Sequence, residues 1–254
     1  MNKEQVRTQF GAAAASYATS KVHAQGASLA RLVELTQPQP DWRVLDVATG
    51  AGHTAFAFAP HVAQVIATDI TPEMLRETVL GAEKRGLHNV ITQSADAEEL
   101  PFAAASFQLV TCRIAPHHFP DVPAFLRACG RVLPPGGLLA VVDNIVPDDA
   151  QAAAYVNNIE KLRDPSHARC LSLAEWIAAF VAAGFVVEHS EVAPKALAFN
   201  EWAGRMVHDE ATLTQLQKLL LDAPSVVAEF LQVEPQAEDI HFRLAEALIV
   251  GRLL

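Results

Sequence analysis

The chain has 254 residues, enough for one α/β domain with a helical addition, and 51% of them are hydrophobic, which is ample for a buried core. Its net charge of −10 at pH 7 disfavours a nucleic-acid partner, because proteins bind nucleic acids mainly by neutralising phosphates with lysine and arginine. The sequence has no run of about 18 apolar residues, no leader pattern and no clustered cysteines, so we expect a cytoplasmic protein with small-molecule ligands, no membrane span and no bound metal.

Two helices precede the first predicted strand. Apolar residues at helical spacing predict helices over residues 3–17 and about 21–35, and Pro38 and Pro40 end the second helix. Residues 1–40 are too few to form a domain of their own. We therefore expect them to lie as a helical cap over the functional site.

The segment Arg43–Gly52 is the one around which the prediction is built. A short β-forming run is followed by a tight turn with Gly50 and Gly52, and then by an Ala/Phe-rich stretch that can be helical. A strand, a glycine turn and a helix in this order place backbone N–H groups and a helix N-terminus against a bound nucleotide. Asp46 stands at the carboxyl end of the strand, where open α/β sheets bind their ligands.

Strands and helices alternate after Gly52. β-forming runs predict strands at residues 65–69, 90–93, 107–112 and 138–143. Thr71 as a side-chain cap, Pro72 in the first turn and Gly86 past the last turn delimit one helix, and another is predicted over residues 122–132. This alternation predicts a doubly wound, mostly parallel sheet of the Rossmann-like α/β class.

The pattern changes after Asp143. Residues 148–163 are predicted to be helical, and a Ser172–Glu175 capping box opens a further helix. The apolar side chains expected to be buried on that helix are Trp176, Ile177, Phe180 and Val181. A strand from Phe185, two or three short helices within residues 200–232 and a last strand near residues 243–252 complete the chain. We expect these helices to form an insertion before the last strand.

Three carboxylates follow three successive predicted strands, namely Asp46, Asp69 and Asp96. Asp69 stands where an acid accepts hydrogen bonds from both hydroxyls of a ribose, and Asp96 suits an adenine amino group. Ile70 and Met74 are placed to sandwich an adenine ring, with ordinary helix packing as an equal interpretation of Met74. The two glutamates that come next, Glu98 and Glu99, are interpreted as a solvated face.

The glycine turn alone fits both nicotinamide-binding and adenosylmethionine-binding sheets. The third glycine of a G-x-G-x-x-G motif is absent, because position 55 is alanine. Asp46 is unfavourable beside a pyrophosphate and suits a ligand with a cationic ammonium group, the alternative being that Asp46 only caps the turn. Both features favour adenosylmethionine.

Five segments carry a resemblance to a known family: Val44–Gly52, Asp69, Asp96 with Leu100–Phe102, Phe107–Cys112 and Arg131–Gly137. In order and spacing they resemble the class I S-adenosylmethionine-dependent methyltransferases, in particular the ubiquinone/menaquinone C-methyltransferase-like group of small-molecule enzymes. The resemblance covers about residues 40–145. It implies S-adenosyl-L-methionine as the methyl donor and S-adenosyl-L-homocysteine as the product.

The resemblance also implies roles for individual residues. The methionine part of the cofactor would contact Asp46, Thr49, Gly50 and Gly52, and the ribose would contact Asp69. The adenine would contact Asp96 and Ala97, and the sulfonium would lie beside Cys112 and Arg113. In the N-terminal cap, Tyr17 and His23 would close over the cofactor's carboxylate. Ala48 departs from the family pattern, which often has glycine there, and its Cβ is tolerated only if φ is negative.

Candidate acceptor-side residues follow the fourth and fifth predicted strands. His117 or His118 can act as a general base, the alternative being imidazoles that bond the backbone. We expect no metal on this pair, because adjacent side chains point apart. Asp143 is either a second acceptor-binding group or a loop cap.

Further acceptor contacts are expected from the insertion. Arg163 and His167 bracket a turn there and can reach the acceptor, although an Arg163–Asp164 surface pair would give the same pattern. Trp202 would line an apolar acceptor pocket, core packing being the commoner fate of a tryptophan.

Methyl transfer to a small-molecule acceptor is the leading hypothesis, at carbon, oxygen or nitrogen. The alternatives are a nicotinamide-dependent oxidoreductase on a similar sheet and a non-methylating adenosylmethionine-binding protein. We expect one domain, 1–254, with a cap at 1–40, a cofactor-binding core at 41–145 and helical acceptor-side insertions at 146–170 and 195–235. The oligomeric state stays open, with a homodimer among the alternatives.

Overall fold

The computed structural model describes residues 3–19 and 26–254, and in the first helix it describes the side chains of residues 3–11, 14 and 15. The strands are β1 (Arg43–Val47), β2 (Gln64–Asp69), β3 (Val90–Ser94), β4 (Leu109–Arg113), β5 (Leu138–Ile145), β6 (Phe185–Ala198), β7 (Glu234–Pro235) and β8 (Ile240–Leu253). The helices are α1 (Lys3–Thr19), α2 (Ala27–Thr36), α3 (His53–Phe58), α4 (Pro72–Arg85), α5 (Val122–Val132), α6 (Ala150–Arg163), α7 (Leu173–Ala182), α8 (Phe199–Gly204), α9 (Glu210–Leu221) and α10 (Ser225–Leu231).

The strands form one 8-stranded sheet in the order β3-β2-β1-β4-β5-β8-β6, with β7 pairing β8. Strands β1 to β5 run parallel to one another, whereas β8 runs antiparallel between β5 and β6. The prediction of a doubly wound, mostly parallel Rossmann-like sheet is therefore confirmed. The strand order reverses between β1 and β4, and a ligand crevice is expected at such a reversal, outside the carboxyl ends of the strands.

Buried apolar side chains cover both faces of the sheet. Phe125 and Leu126 of α5 pack with Trp176 and Phe180 of α7 on one face. Leu32 of α2 belongs to the apolar cluster on the other face, where α2 contacts α3, β5 and β8. The expectation that both N-terminal helices cap the site is therefore wrong for α2, because its apolar side is used to cover the sheet.

A third apolar cluster joins the insertion helices to the long β8 strand. It contains Val156 of α6, Trp202 of α8, Leu216 of α9 and Phe242 of β8. β6 and β8 pair over most of their length, and the chain that connects them contains α8, α9 and α10. The second insertion therefore becomes helical at Phe199 and not at residue 195, because residues 195–198 still belong to the β6–β8 ladder.

Some of the helix limits, caps and buried side chains predicted from the sequence agree with the structure, and others do not. The predicted limits of α4 and the Ser172–Glu175 capping box are confirmed, but Thr71 makes no side-chain cap to α4. On α7, Val181 is 60% exposed, contrary to the prediction, since only one side of that helix faces the core. The predicted start of the second helix lies outside the described residues. None of the described helices is long and apolar enough to cross a membrane.

Candidate functional site

A cavity of about 500 Å³ lies beyond the carboxyl ends of β1, β2 and β4. This volume is within the range of about 300–1,000 Å³ typical of small-molecule sites. Its walls come from the loops after these strands, from the N-terminal half of α1 and from the insertion. The cavity is therefore where the sheet topology places a ligand.

The cavity brings together many of the residues predicted from the sequence. Those that line it are Thr49, Gly50, Asp69, Ile70, Met74, Asp96, Ala97, Arg113, His117, His118, Arg163 and Trp202. Those outside its lining are Asp46, Gly52, Cys112, Asp143 and His167. The Tyr17 side chain and His23 lie outside the described residues.

Asp46 lies beneath the cavity floor. It is 1% exposed, and its two oxygens accept hydrogen bonds from Thr49 Oγ1 at 2.5 Å and Thr111 Oγ1 at 2.7 Å. Burial raises the pKa of Asp46 to about 6, against the lowering effect of these bonds and of Arg113. Asp46 is therefore outside the cavity lining and fixes Thr49, which does line the cavity, while its contact with the methionine part of the cofactor stays a prediction.

The loop after β1 takes a left-handed path that glycine favours. Gly50 has φ +55° and open space where a Cβ would lie. Gly52 has φ +88°, and a Cβ there would lie 2.5 Å from Phe56 Cζ, so this glycine serves packing and not the cavity lining. Ala48 has φ +51°, contrary to the expected negative value, so the loop keeps the glycine-like conformation despite the alanine Cβ.

Asp69 is held by the backbone on both of its oxygens. Its Oδ2 accepts from Gly50 N at 3.0 Å and its Oδ1 from Thr71 N at 2.8 Å. Burial raises its pKa, while these backbone bonds oppose the rise. A carboxylate has about four lone-pair sites, so both oxygens can accept further hydrogen bonds from a ligand in the cavity.

Asp96 and Glu98 share the ammonium group of Lys3. Lys3 Nζ lies 2.6 Å from Asp96 Oδ2 and 2.6 Å from Glu98 Oε2. This contact ties the first turn of α1 to the loop after β3. The prediction of a solvated face is wrong for Glu98, whose side chain is only 14% exposed because it also faces the cavity, and right for the exposed Glu99.

His117 and Asp143 form a buried pair. His117 Nδ1 lies 2.6 Å from Asp143 Oδ1. Burial lowers the pKa of His117, but the charge and hydrogen bond of Asp143, with smaller contributions from Glu160 and Asp164, outweigh it and raise the pKa overall. Asp143 lies within β5 and outside the cavity lining, so it is not a loop cap, and its Oδ1 also accepts from Asn144 N at 3.0 Å. Its role as an acceptor-binding group stays a prediction.

His118 differs from His117 in its partners. Its Nδ1 lies 3.0 Å from Ser166 O, and burial together with the neighbouring His117 lowers its pKa to about 3. The two rings are 4.2 Å apart, so the expectation that these adjacent side chains point apart is wrong for a turn as tight as this one. In the described ranges, no three His, Cys, Asp or Glu side chains are arranged to hold a metal.

Arg163 and His167 occupy different environments in the insertion. Arg163 pairs with Glu160 at 3.2 Å, not with Asp164, and its guanidinium lies 4.7 Å from the Trp202 ring centroid. His167 is 1% exposed, its Nε2 bonds Asn157 Oδ1 at 2.9 Å, and burial lowers its pKa to about 2. His167 therefore supports the turn and lies outside the cavity lining, contrary to the prediction.

Cys112 and Arg113 are separated by the alternation of β4. Cys112 is fully buried in the core, where burial raises the pKa of its thiol. Contrary to the prediction, it does not line the cavity. Arg113 lines the cavity and donates from Nε to Thr54 Oγ1 at 3.3 Å. Burial lowers the pKa of Arg113, although Glu246 and Asp46 oppose this.

Several cavity residues were missed by the sequence prediction. They are Lys3, Val6, Phe10, Ile114, Asn144, Lys195, Arg205 and Met206. Asn144 and Ile114 come just after predicted strands, so the argument that placed Asp69 at the ligand edge could have identified them as well. Ile114 has φ +54°, a rare conformation for a β-branched residue, at the point where β4 ends in the cavity wall.

Comparisons with known proteins agree with this geometry. A family profile described as a methyltransferase domain matches residues 44–137. The protein YcgJ of Bacillus subtilis (strain 168), described as an uncharacterized methyltransferase, is 38% identical over 198 residues, which make up 78% of this chain and 78% of that protein. The crystal structure of YcgJ matches with a TM-score of 0.86 at 34% identity and covers 89% of this chain and 97% of that one.

Two further relatives carry names that state a methyl acceptor or its class. Nocamycin O-methyltransferase of Saccharothrix syringae is 30% identical over 234 residues, 86% of this chain and 70% of that protein. The ubiquinone/menaquinone biosynthesis C-methyltransferase UbiE of Shewanella frigidimarina (strain NCIMB 400) is 34% identical over 119 residues, 45% of this chain and 47% of that protein. The first similarity extends beyond the predicted core, and the second covers less than half of either chain.

Proposed function

Because this chain belongs to the class I S-adenosylmethionine-dependent methyltransferases, we propose that its cavity binds S-adenosyl-L-methionine beside a small-molecule acceptor and that His117 removes a proton from the acceptor. The observation that carries the proposal is the placement of Asp69 and His117 in the lining of the same cavity. Family membership decides for methyl transfer over the nicotinamide-dependent alternative.

The residues present fit the cofactor. Asp69 offers carboxylate oxygens to ribose hydroxyls, and Gly50 leaves open space where any other residue would place a Cβ. Asn144 Oδ1, in the cavity lining, is buried without a hydrogen-bond partner in the described chain and can accept from a bound donor. Ile70, Met74 and Ala97 supply an apolar surface suited to the adenine.

Catalysis by this chain rests on position and proton transfer. The bound cofactor supplies an electrophilic methyl group on its sulfonium. The protein holds the acceptor in line with that methyl group, and alignment of this kind contributes about 7–11 kcal/mol in the best cases. With Nδ1–H donated to Asp143, His117 keeps Nε2 as the atom that accepts the acceptor's proton. Asp143 is thus a positioning residue.

The remaining expectations extend this proposal. We infer that residues 1–40 contribute a partial cap, supported by Lys3 and Phe10 in the cavity wall, and that the insertions contribute the acceptor side, supported by Trp202 and Arg205. The free cysteines suit the reducing cytoplasm, and the net charge of −10 suits a small-molecule acceptor over nucleic acid. Assembly as a homodimer stays a prediction.

Isothermal titration calorimetry tests the cofactor assignment. We expect S-adenosylhomocysteine to bind with a stoichiometry of about one per chain, and NADH to give no binding heat at the same concentrations. Binding of NADH without binding of S-adenosylhomocysteine would overturn the proposed function.

A further inference from the structure

The acceptor side of the cavity is richer in cations than the rest of this acidic protein. Arg113, Arg163, Lys195 and Arg205 line it, and Asp164 is the acid beside them. Asp164 is engaged internally, since its Oδ1 accepts from Ser166 N and Ser166 Oγ. Positive charge collected in a cleft of a protein with net charge −10 attracts anions to that cleft.

Carboxylates next to the cavity already neutralise most of these cations. Lys195 Nζ lies 2.8 Å from Glu246 Oε1, and Arg163 pairs with Glu160. The negative charges of Glu246 and Asp46 act on the Arg113 guanidinium. Arg205, directly after α8, is exposed, and its guanidinium makes no hydrogen bond or ion pair within the part of the chain that the structure describes. Its charge remains available to a ligand.

Among the described cavity-lining residues, two buried hydrogen-bond donors lack an acceptor, whereas one buried acceptor, Asn144 Oδ1, lacks a donor. Trp202 Nε1 and Arg163 Nε are both buried without a hydrogen-bond partner among the described residues. Both side chains line the cavity next to α8. A buried donor without an acceptor is costly, so a ligand that brings acceptor oxygens to this wall is favoured over one that brings more donors.

The cavity lining also contains large apolar side chains. They are Phe10, Phe119, Leu197, Trp202, Met206 and Leu244. Phe10 meets the His118 ring edge-on at 4.9 Å, so the apolar part of the lining reaches the two histidines. A ligand that reaches from Arg205 to His117 therefore lies against apolar side chains between two polar ends.

We propose, on the basis of the proposed function, that the methyl acceptor is a small organic carboxylate with an apolar body, and that Arg205 binds the carboxylate while the methylated atom lies at His117. A charge-assisted, two-pronged bond between guanidinium and carboxylate gives orientation as well as affinity. An amine-bearing acceptor is disfavoured, because it would place a second cation beside Arg205. A neutral acceptor would leave the charge of Arg205 unused.

Three probes with one carbon skeleton test the charge preference: phenylacetate, phenylacetamide and phenethylamine. Binding is followed by NMR on the protein saturated with S-adenosylhomocysteine. We expect phenylacetate to bind at least about tenfold more tightly than either of the others. Equal or tighter binding of the amide or the amine, or no binding of phenylacetate, overturns the proposal.

The variant Arg205→Gln tests the residue. Because Arg205 is exposed and unpaired among the described residues, the variant is expected to keep its melting temperature and its affinity for S-adenosylhomocysteine, and to lose the preference for phenylacetate. Arg127→Gln, at an exposed arginine on α5 outside the cavity lining, is the matched control and keeps the preference. A preference that survives Arg205→Gln overturns the inference, whereas failure of the wild-type protein to bind S-adenosylhomocysteine counts against the proposed function itself.

Discussion

Asp69→Asn is expected to weaken binding of S-adenosylhomocysteine roughly hundredfold, because hydrogen bonds from two ribose hydroxyls would change from a charged acceptor (about 1.5–3 kcal/mol each) to a neutral one (about 0.5–1.5 kcal/mol each). The substitution keeps the size of the side chain. It also leaves one of the two backbone donors, Gly50 N or Thr71 N, without its present acceptor, because an amide has only one oxygen. Calorimetric titration gives the affinity.

The Asp69→Asn experiment has two controls: a measurement of folding stability and a substitution at another acidic residue. The midpoint of urea unfolding separates a loss of affinity from a loss of stability. Glu99→Gln removes an exposed carboxylate from the loop after β3 without touching the cavity, and its affinity for S-adenosylhomocysteine is expected to equal that of the wild type. An Asp69→Asn protein that is folded and binds as tightly as the wild type would rule out Asp69 as the ribose ligand.

His117→Gln is expected to lower kcat/KM about 10²–10⁴-fold for an acceptor whose attacking atom must lose a proton, which is the usual contribution of a general base. The unsubstituted enzyme should show a rate that rises with pH. His117 carries a proton below its raised pKa, and only the neutral form accepts the proton of the acceptor. The rise therefore lies above pH 6.5, the ordinary pKa of histidine.

The variant Asp143→Asn tests the direction in which the pH dependence of the rate should move. Because Asp143 raises the pKa of His117, its replacement lowers that pKa, and the rise in rate moves to lower pH while the plateau falls. Imidazole NMR follows the same pKa without a methyl acceptor, and His118 titrates at lower pH than His117 because burial and the neighbouring His117 lower its pKa. His88→Gln, at an exposed histidine after α4, is the control. A pH profile unchanged in Asp143→Asn would contradict the role of His117 as the base.

The class of the sheet and its ligand edge were predictable from the sequence because they depend on local patterns. The strand, glycine turn and helix around Gly50 fix one end of the crevice, and an acid after the next strand fixes Asp69 in it. These arguments use only which residue follows which strand. They say nothing about which partners each side chain finds.

The errors concern contacts between residues far apart in the sequence. Lys3 meets Asp96 across 93 positions, and His117 meets Asp143 across 26 positions. Asp46 follows the same rule as Asp69, yet two threonine hydroxyls bond both of its oxygens beneath the cavity. Arg205 carries no sequence signal at all, because its significance lies in having no partner among the described residues of a wall rich in cations.

The central claim is that one cofactor lies across the carboxyl edge of the sheet, between the Gly50 loop and the two histidines. A crystal structure of the protein with S-adenosylhomocysteine measures this directly. We expect the ribose hydroxyls within hydrogen-bond distance of the Asp69 carboxylate, the adenine between Ile70 and Ala97, and the sulfur on the side of the cavity lined by His117. Density for the ligand elsewhere on the protein, with Asp69 contacting only Gly50 and Thr71, would contradict the claim.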